Sequence, residues 1–351
     1  MKNLFKNIPE ELIQQYALVR KDETFVIKVG GEIFEKKEKL DHLIQAIQFL
    51  VKNHVKVILV HGAGPQVSSI LNEVDRSGKR ITPPKKIPEI DEVCLSLSET
   101  IGKTFPKSEI ISPIHIQSPK KAANNSTANI SSLAPAIQKL IDTNRFLIAG
   151  HIGIDPETGE NTNINADEVA AEIAKKIKAD KLFYLTATNG VLNEKNQTIP
   201  ELHPDEIDIE DPNFKGGMKP KIARMKDVAS TGIHVHACSW KRPSDIVYES
   251  FVPEGTPETV TEISLEQVKD KWKTLEKSSP FIKQLLVLIE LNPNLLPRKE
   301  KDIVDNLENW HLLIKDRVIK GSFEIKKHDN IWEFGGLNVP EYLQKNNIGT
   351  K

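Results

Sequence analysis

The sequence predicts an α/β fold, an open and mainly parallel sheet sandwiched by helices, and three observations predict it. Short apolar runs rich in Val and Ile recur from residue 24 to residue 239, as expected of strands buried on both faces. Longer amphipathic segments stand between them, which is the pattern of βαβ units. Two of the apolar runs pass directly into glycines, IKVGG and VHGAG, where a parallel strand hands over to a helix.

The elements follow in order. Residues 9–18, PEELIQQYAL, read as a short amphipathic helix with Pro9 near its start, ahead of the first strand. FVIKVG is that strand, KLDHLIQAIQFLVKN a helix, VKVILVHG a strand and PQVSSILNEV a helix. Pro, Ser, Asn and Lys cluster in 104–132, so this part is expected to be irregular, with at most short strands around EIISPIHI. Alternation resumes with FLIAGHIG as a strand, ADEVAAEIAKKIKA as a helix and KLFYLTATNG as a strand. A lysine-bearing helix, KPKIARMKDVASTG, and a strand, IHVHACS, complete it.

Near residue 261 the composition changes, and SLEQVKDKWKTLEKSSP reads as a linker or connecting helix. Beyond it come a helix, FIKQLLVLIEL, a strand pair, WHLLIKD and VIKGSFEIKK, and then WEFGGLNV. The expected plan is an extension at 1–21, the main α/β domain at 22–261, and a small incomplete α+β domain at 262–351.

Composition narrows the function. Lys plus Arg number 48 against 49 Asp plus Glu, so no sequence-wide basic field argues for nucleic acid or an anionic membrane. No stretch approaches the ~18 apolar residues of a membrane span, and the start has no apolar core of a secretory signal. Cys94 and Cys238 stand far apart outside any zinc-like spacing, so reduced buried thiols in a cytoplasmic protein are expected. There the sequons at Asn124, Asn125 and Asn129 would be silent. Small ligands are the better partners.

Three glycine-flanked segments point to phosphate chemistry. Lys28 in VIKVGGEIF is flanked by β-branched residues on an apolar strand, so it is either an edge lysine reaching solvent or a cation with a purpose. VKVILVHGAGPQ runs a strand into Gly62 and Gly64, with Pro65 fit for a first helical turn whose N–H groups would face an anion. The competing reading is a tight turn without a ligand. GGMKPK is a cationic helix start carrying Lys219 and Lys221 or a solvated basic loop, and NINAD puts Asp167 at another helix start, as a capping acid or as a partner for the lysines. Dinucleotide and P-loop fingerprints are set aside: Val67 stands where the former needs its third glycine, and Leu97 where the latter needs its first.

In order, VIKVGG, VHGAGPQ, NINAD, LTATNGVL and GGMKPKI resemble the signatures of the amino-acid kinase superfamily, and within it the N-acetylglutamate kinases. The resemblance spans about residues 22–255. It implies ATP-dependent phosphorylation of the side-chain carboxylate of N-acetyl-L-glutamate, in arginine biosynthesis, with ATP and Mg²⁺. Lys28 and Lys221 would contact the transferring phosphoryl group and Asp167 would orient them. Gly30, Gly31, Gly62 and Gly64 would supply N–H groups. Thr186, in the stretch 186–191, and Lys219 would lie near ATP, Arg80 would grip the substrate α-carboxylate, and Asn163 would contact the acetylated amino acid. A homo-oligomer, dimer or hexamer, and an arginine effector are further implications. Two departures stand out. Ala63 interrupts the family's run of glycines, so its methyl could narrow the phosphate passage. Gly255-Thr256-Pro257-Glu258-Thr259 also lacks the second glycine of the element near the arginine site.

WHLLIKDRVIKGSFEI and WEFGGLNVPEYLQKNNIGTK resemble the first half of a GNAT-type N-acetyltransferase, of the kind fused to kinase-like domains in N-acetylglutamate synthases. Gln344 and Gly349 match its pyrophosphate loop, whereas Asn347 replaces a glycine. The expectation is a degenerate or truncated domain, or one completed by another chain. The alternative function is therefore an N-acetylglutamate synthase-type protein whose kinase-like domain is regulatory.

Overall fold

Phe25, Val26, Ile27 and Val29 are shielded from solvent on both sides, because their strand, Thr24–Val29, runs through the middle of an eight-stranded sheet. The protein is described by a computed structural model. It describes all residues except 1–9, 72–81, 106, 120–131, 134–135, 144, 213, 215–217, 253–257, 266–271, 277–278, 280, 329–330 and 340–351.

The sheet runs in the order Glu201–Leu202, Thr261–Ile263, His234–Ser239, Lys181–Thr186, Thr24–Val29, Lys56–His61, Phe146–Ala149, Ser108–Ile111. Only Thr261–Ile263 against His234–Ser239 is antiparallel. Helices Lys37–Lys52, Ala166–Ile177 and Met218–Ala229 bury apolar faces against it. This is the mainly parallel α/β architecture that the sequence predicts. Parallel neighbours bring several strand ends and their following turns to one edge of the sheet, where ligands of open α/β sheets bind.

Among its described residues, the region 104–132 contributes the strand Ser108–Ile111 at the sheet edge and Ile116–Gln117 to a separate four-stranded sheet with Ser132–Leu133, Ile152–Ile154 and Asn161–Asn163. Helix Ile87–Gly102 has no counterpart in the sequence reading. Its buried positions Ile87, Ile90, Cys94, Ser98 and Ile101 recur at helical spacing, but Ser98 interrupts the apolar stripe and hides the period. The stretch taken as a linker contains a strand, Trp272–Thr274, which pairs with Trp310–Lys315.

The chain forms two compact units that are not consecutive in sequence. One comprises Asp22–Val247 and Thr256–Glu266, and the other Met1–Lys21, Tyr248–Gly255 and Gln267–Lys351. The second unit has a four-stranded antiparallel sheet and the helices Glu10–Val19 and Ile282–Leu291. Within it, Arg20 donates from Nε to the Ser250 carbonyl at 2.7 Å and from Nη2 to Asp316 Oδ2 at 2.7 Å. Gln344, Asn347 and Gly349 lie outside the described residues, as do the three sequons.

Candidate active site

Lys28 sits next to the end of the first strand, in register with Val60 on one side and Tyr184 on the other. A lysine in mid-sheet needs a counter-charge. Asp167 supplies it: Lys28 Nζ lies 2.7 Å from Asp167 Oδ1, and Lys221 Nζ lies 3.9 Å from Asp167 Oδ2. The three side chains are only 11%, 12% and 19% exposed. Burial pushes the Asp167 carboxyl up, but the Lys28 and Lys221 charges, the Lys28 hydrogen bond and Arg224 outweigh it and hold it below the usual carboxylate range. Burial lowers the Lys221 ammonium, and Lys28 adds to that against the opposing pull of Asp167.

Local structure fixes Asp167. Asn165 caps helix Ala166–Ile177, its side chain accepting from the Asp167 N–H at 2.8 Å, and the helix N-terminus favours an anion there. Tyr184, buried on the neighbouring strand, donates its hydroxyl to the Asp167 carbonyl at 3.0 Å. Asp167 is thus a first-turn acid and a lysine partner together.

The glycine turns meet. A Cβ on Gly31 would lie 2.4 Å from Gln66 Oε1, 2.7 Å from the Gly64 nitrogen and 2.9 Å from the Ala63 carbonyl carbon, so the two turns approach too closely for any side chain. Gln66 donates from Nε2 to the Gly31 carbonyl at 3.0 Å and pins them together. Gly62 is a correction: its N–H donates to the Val29 carbonyl at 2.9 Å and extends the sheet instead of facing a ligand. Ala63 is 1% exposed and packs with Val67, Leu71, Ile90, Cys94 and Ile152. Its methyl is taken up by the core, and the expected narrowing of the phosphate passage gives way to this packing.

Three other residues behave differently from the lysine pair. Thr186 donates its hydroxyl to the Thr188 and Cys238 carbonyls at 2.8 and 3.2 Å, building the turn after its strand. Lys219 is 46% exposed and paired at 2.6 Å with Glu210, an exposed acid. Asn163 donates to Thr82 Oγ1 at 2.8 Å, and its own carbonyl oxygen is buried without a hydrogen-bond partner among the described residues. Arg80, the two glycines at 216 and 217, and Gly255, Thr256 and Pro257 lie outside the described residues.

Sequence reasoning missed the groups beneath the turns. His61 ends the second strand, and its Nε2 lies 2.7 Å from Ser98 Oγ. Ser98 Oγ also lies 3.0 Å from the Cys94 carbonyl, and His61 Nδ1 faces the Gly62 carbonyl at 3.4 Å. Cys94 Sγ lies 3.4 Å from His151 Nδ1. Burial first, then the charge of His151, lowers His61 to about 3. Burial lowers His151 to about 4, opposed by its hydrogen bond to the His61 backbone and aided by the Lys28 charge. Burial pushes the Cys94 thiol up to about 12, so it stays protonated. Only the run VHG hinted at His61. Among the described residues, no group of three or more His, Cys, Asp or Glu is arranged to hold a metal ion.

Residues 23–239 match the model of the amino acid kinase family. An acetylglutamate kinase of Hydrogenobaculum sp. is 29% identical over 272 residues, covering 69% of this chain and 91% of its own length. One of Pseudothermotoga lettingae is 29% identical over 279 residues, covering 72% and 96%. N-acetylglutamate synthase from Neisseria gonorrhoeae, solved with coenzyme A and L-arginine, matches 97% of this chain and 84% of its own, with a TM-score of 0.69 at 17% identity. Carbamate kinase from Giardia lamblia, solved with AMP-PNP, matches 70% of this chain and 99% of its own, with a TM-score of 0.52 at 17% identity. At such identities the structural likenesses concern the fold.

Proposed function

This chain belongs to the amino acid kinase family, and from that premise we propose that it transfers the γ-phosphoryl group of ATP to the side-chain carboxylate of N-acetyl-L-glutamate, the acyl-phosphate step of arginine biosynthesis. The observation that carries the reading is the pair of lysines held on one buried carboxylate beside two touching glycine turns. Such a set screens and aligns two negative reactants, which is most of what phosphoryl transfer asks of a protein. No general base is needed, because a carboxylate with a reference pKa near 4.3 is already an anionic nucleophile at neutral pH.

In this reading Lys28 and Lys221 take opposite sides of the transferring group, Asp167 holds their spacing, and the turns at Gly30–Gly31 and Gly64 line the anion's path. Arg80 and Asn163 serve the acceptor. The unpartnered Asn163 carbonyl oxygen suits the N–H of an acetylated amine, since a buried acceptor left alone costs about 1–3 kcal/mol. Thr186 and Lys219 belong to the ATP side, and Lys219 would exchange Glu210 for phosphate. The donor set fits a Mg²⁺ held mainly by ATP phosphates and water, because Asp167 is committed to the lysines. When bound, Mg²⁺ would neutralise phosphate charge. The same reading carries a cytoplasmic homo-oligomer, dimer or hexamer, with arginine as an effector.

ADP release in the presence of ATP and N-acetyl-L-glutamate tests it. Lys28→Ala and Lys221→Ala are each expected to lower kcat at least about 100-fold, and unchanged turnover in both sinks the roles. The second reading, a synthase-type protein with a regulatory kinase-like unit, is favoured by the fold likeness to the Neisseria synthase over 97% of the chain. Acetyl-CoA-dependent acetylation of glutamate by the chain, without ADP release, would put it first.

A further inference from the structure

Arg224 stands three residues after Lys221 on helix Met218–Ala229, the spacing that puts two side chains on one helix face. Its Nη2 meets Glu168 Oε1 at 2.5 Å, and its Nη1 donates to the Pro220 carbonyl at 3.1 Å. Glu168 follows Asp167 in the first turn of helix Ala166–Ile177. One planar cation therefore joins the first turns of two helices at the residues adjoining Lys221 and Asp167. The pair is well shielded, at 23% and 21% exposure.

The other members of the site have their own supports. Lys28 is fixed by the strands on both sides and by its 2.7 Å contact with Asp167. Asp167 is fixed by Asn165 and Tyr184. Lys221 lies 3.9 Å from Asp167 against 2.7 Å for Lys28, so Asp167 alone places it less firmly than its partner. A lysine at 224 could reach Glu168 or Pro220 but lacks the rigid fork that serves both.

We propose that the Arg224–Glu168 pair is a positioning latch, which clamps the lysine-bearing helix to the carboxylate-bearing helix and so sets Lys221 against Asp167. Neither residue is placed in contact with a reactant. The effect on turnover rests on the kinase reading above; the effect on Lys221 does not.

The test uses the full chain with Arg224→Met, Arg224→Lys and Glu168→Gln. Two readouts are taken: ADP release with ATP and N-acetyl-L-glutamate, and acylation of Lys221 by acetic anhydride across pH, followed by peptide mass spectrometry. Misplacing one group by about 1 Å can reduce turnover about 100-fold. Arg224→Met is therefore expected to lower kcat about 10- to 100-fold with the KM for ATP within about threefold, and Arg224→Lys to recover part of the loss. Glu168→Gln, which keeps the shape, should fall between them and guards against a folding failure in the first variant. Asp167, Lys28, Glu32 and Arg224 are the charged groups acting on Lys221, and Arg224 lowers its ammonium. Removing that charge should by itself move the Lys221 labelling midpoint to higher pH in Arg224→Met, so Arg224→Lys, which keeps the charge and loses the fork, is the variant that reports position: its Lys221 should be acylated faster than the parent's at one pH.

Turnover within twofold of the parent, with Lys221 of Arg224→Lys acylated at the parent's rate, overturns the latch. So does a raised KM with kcat intact. If the parent protein releases no ADP, the kinase reading falls, and the labelling of the charge-keeping Arg224→Lys decides the latch alone: faster acylation of Lys221 supports it, and the parent's rate overturns it.

Discussion

Gly31 and Gly62 sit at comparable places after neighbouring strands, yet their surroundings differ. A Cβ on Gly31 would meet backbone atoms under 3 Å away, whereas on Gly62 the nearest atom is the Ala166 Cβ at 3.7 Å. Gly31→Ala is expected to lower kcat at least about tenfold while Gly62→Ala stays within about threefold of the parent, measured as ADP release; the reverse ranking would contradict the turn geometry. Asp167→Asn leaves two ammoniums facing each other. A stability loss of roughly 2 kcal/mol is expected in urea unfolding, below the ~3–5 kcal/mol of a fully buried pair because both lysines keep some contact with solvent. The two buried histidines give a pH signature. Folded His61 and His151 resist protonation down to about 3 and about 4, against 6.5 for an unperturbed imidazole. Their pKa values are depressed, so the unfolded chain binds more protons below about 6.5, and stability is fully present above that pH and declines beneath it. With both sites taking part the slope approaches about 2.7 kcal/mol per pH unit. Urea midpoints at pH 7.5, 6 and 5 should show the decline, and His151→Gln should flatten it by about half.

Helix Ala166–Ile177 connects local chemistry to the site. Its apolar stripe, Val169, Ala170, Ile173 and Ala174, is buried, which holds it on the sheet, and its Asn165 cap turns the first-turn acid toward the lysines. Asn165→Ala should therefore lower stability by about 1 kcal/mol and lower kcat as well, since the Asp167 N–H loses its tether. Loss of stability with kcat intact would separate the cap from the site. Helix Ile87–Gly102 makes the opposite point. It forms one wall of the Ala63 cluster and supplies Ser98 and Cys94 to the histidines, but its stripe mixes Ser and Cys with Ile, so its role is legible only once its neighbours are in place.

For the molecule as a whole, the segments of the two units alternate along the sequence. Residues ahead of the first strand belong with the C-terminal unit, where Arg20, 2% exposed, reaches Ser250 and Asp316. A buried guanidinium removed from its partners leaves an uncompensated carboxylate. Arg20→Ala is expected to lower the thermal transition of that unit by several degrees in calorimetry, and an unaltered transition would show that the clamp carries no weight.

By itself, the chain sequence determined the alternation of buried strands and amphipathic helices, and with it the parallel sheet and the strand ends where the glycines fall. It also marked Lys28, Lys221 and Asp167, because charge next to apolar strands and at helix starts is a local signal. Only the tertiary structure decided which of the marked residues converge: Lys219 turned to Glu210, the Gly62 amide went to Val29, and the Ala63 methyl went into the core. It alone revealed Arg224, Gln66, Tyr184 and the histidines, whose partners Glu168, Gly31, Asp167, Ser98 and Cys94 lie between 17 and 57 residues away. Periodicity is written along the chain, whereas counter-charge and steric clearance belong to neighbours that only folding brings within a few ångströms.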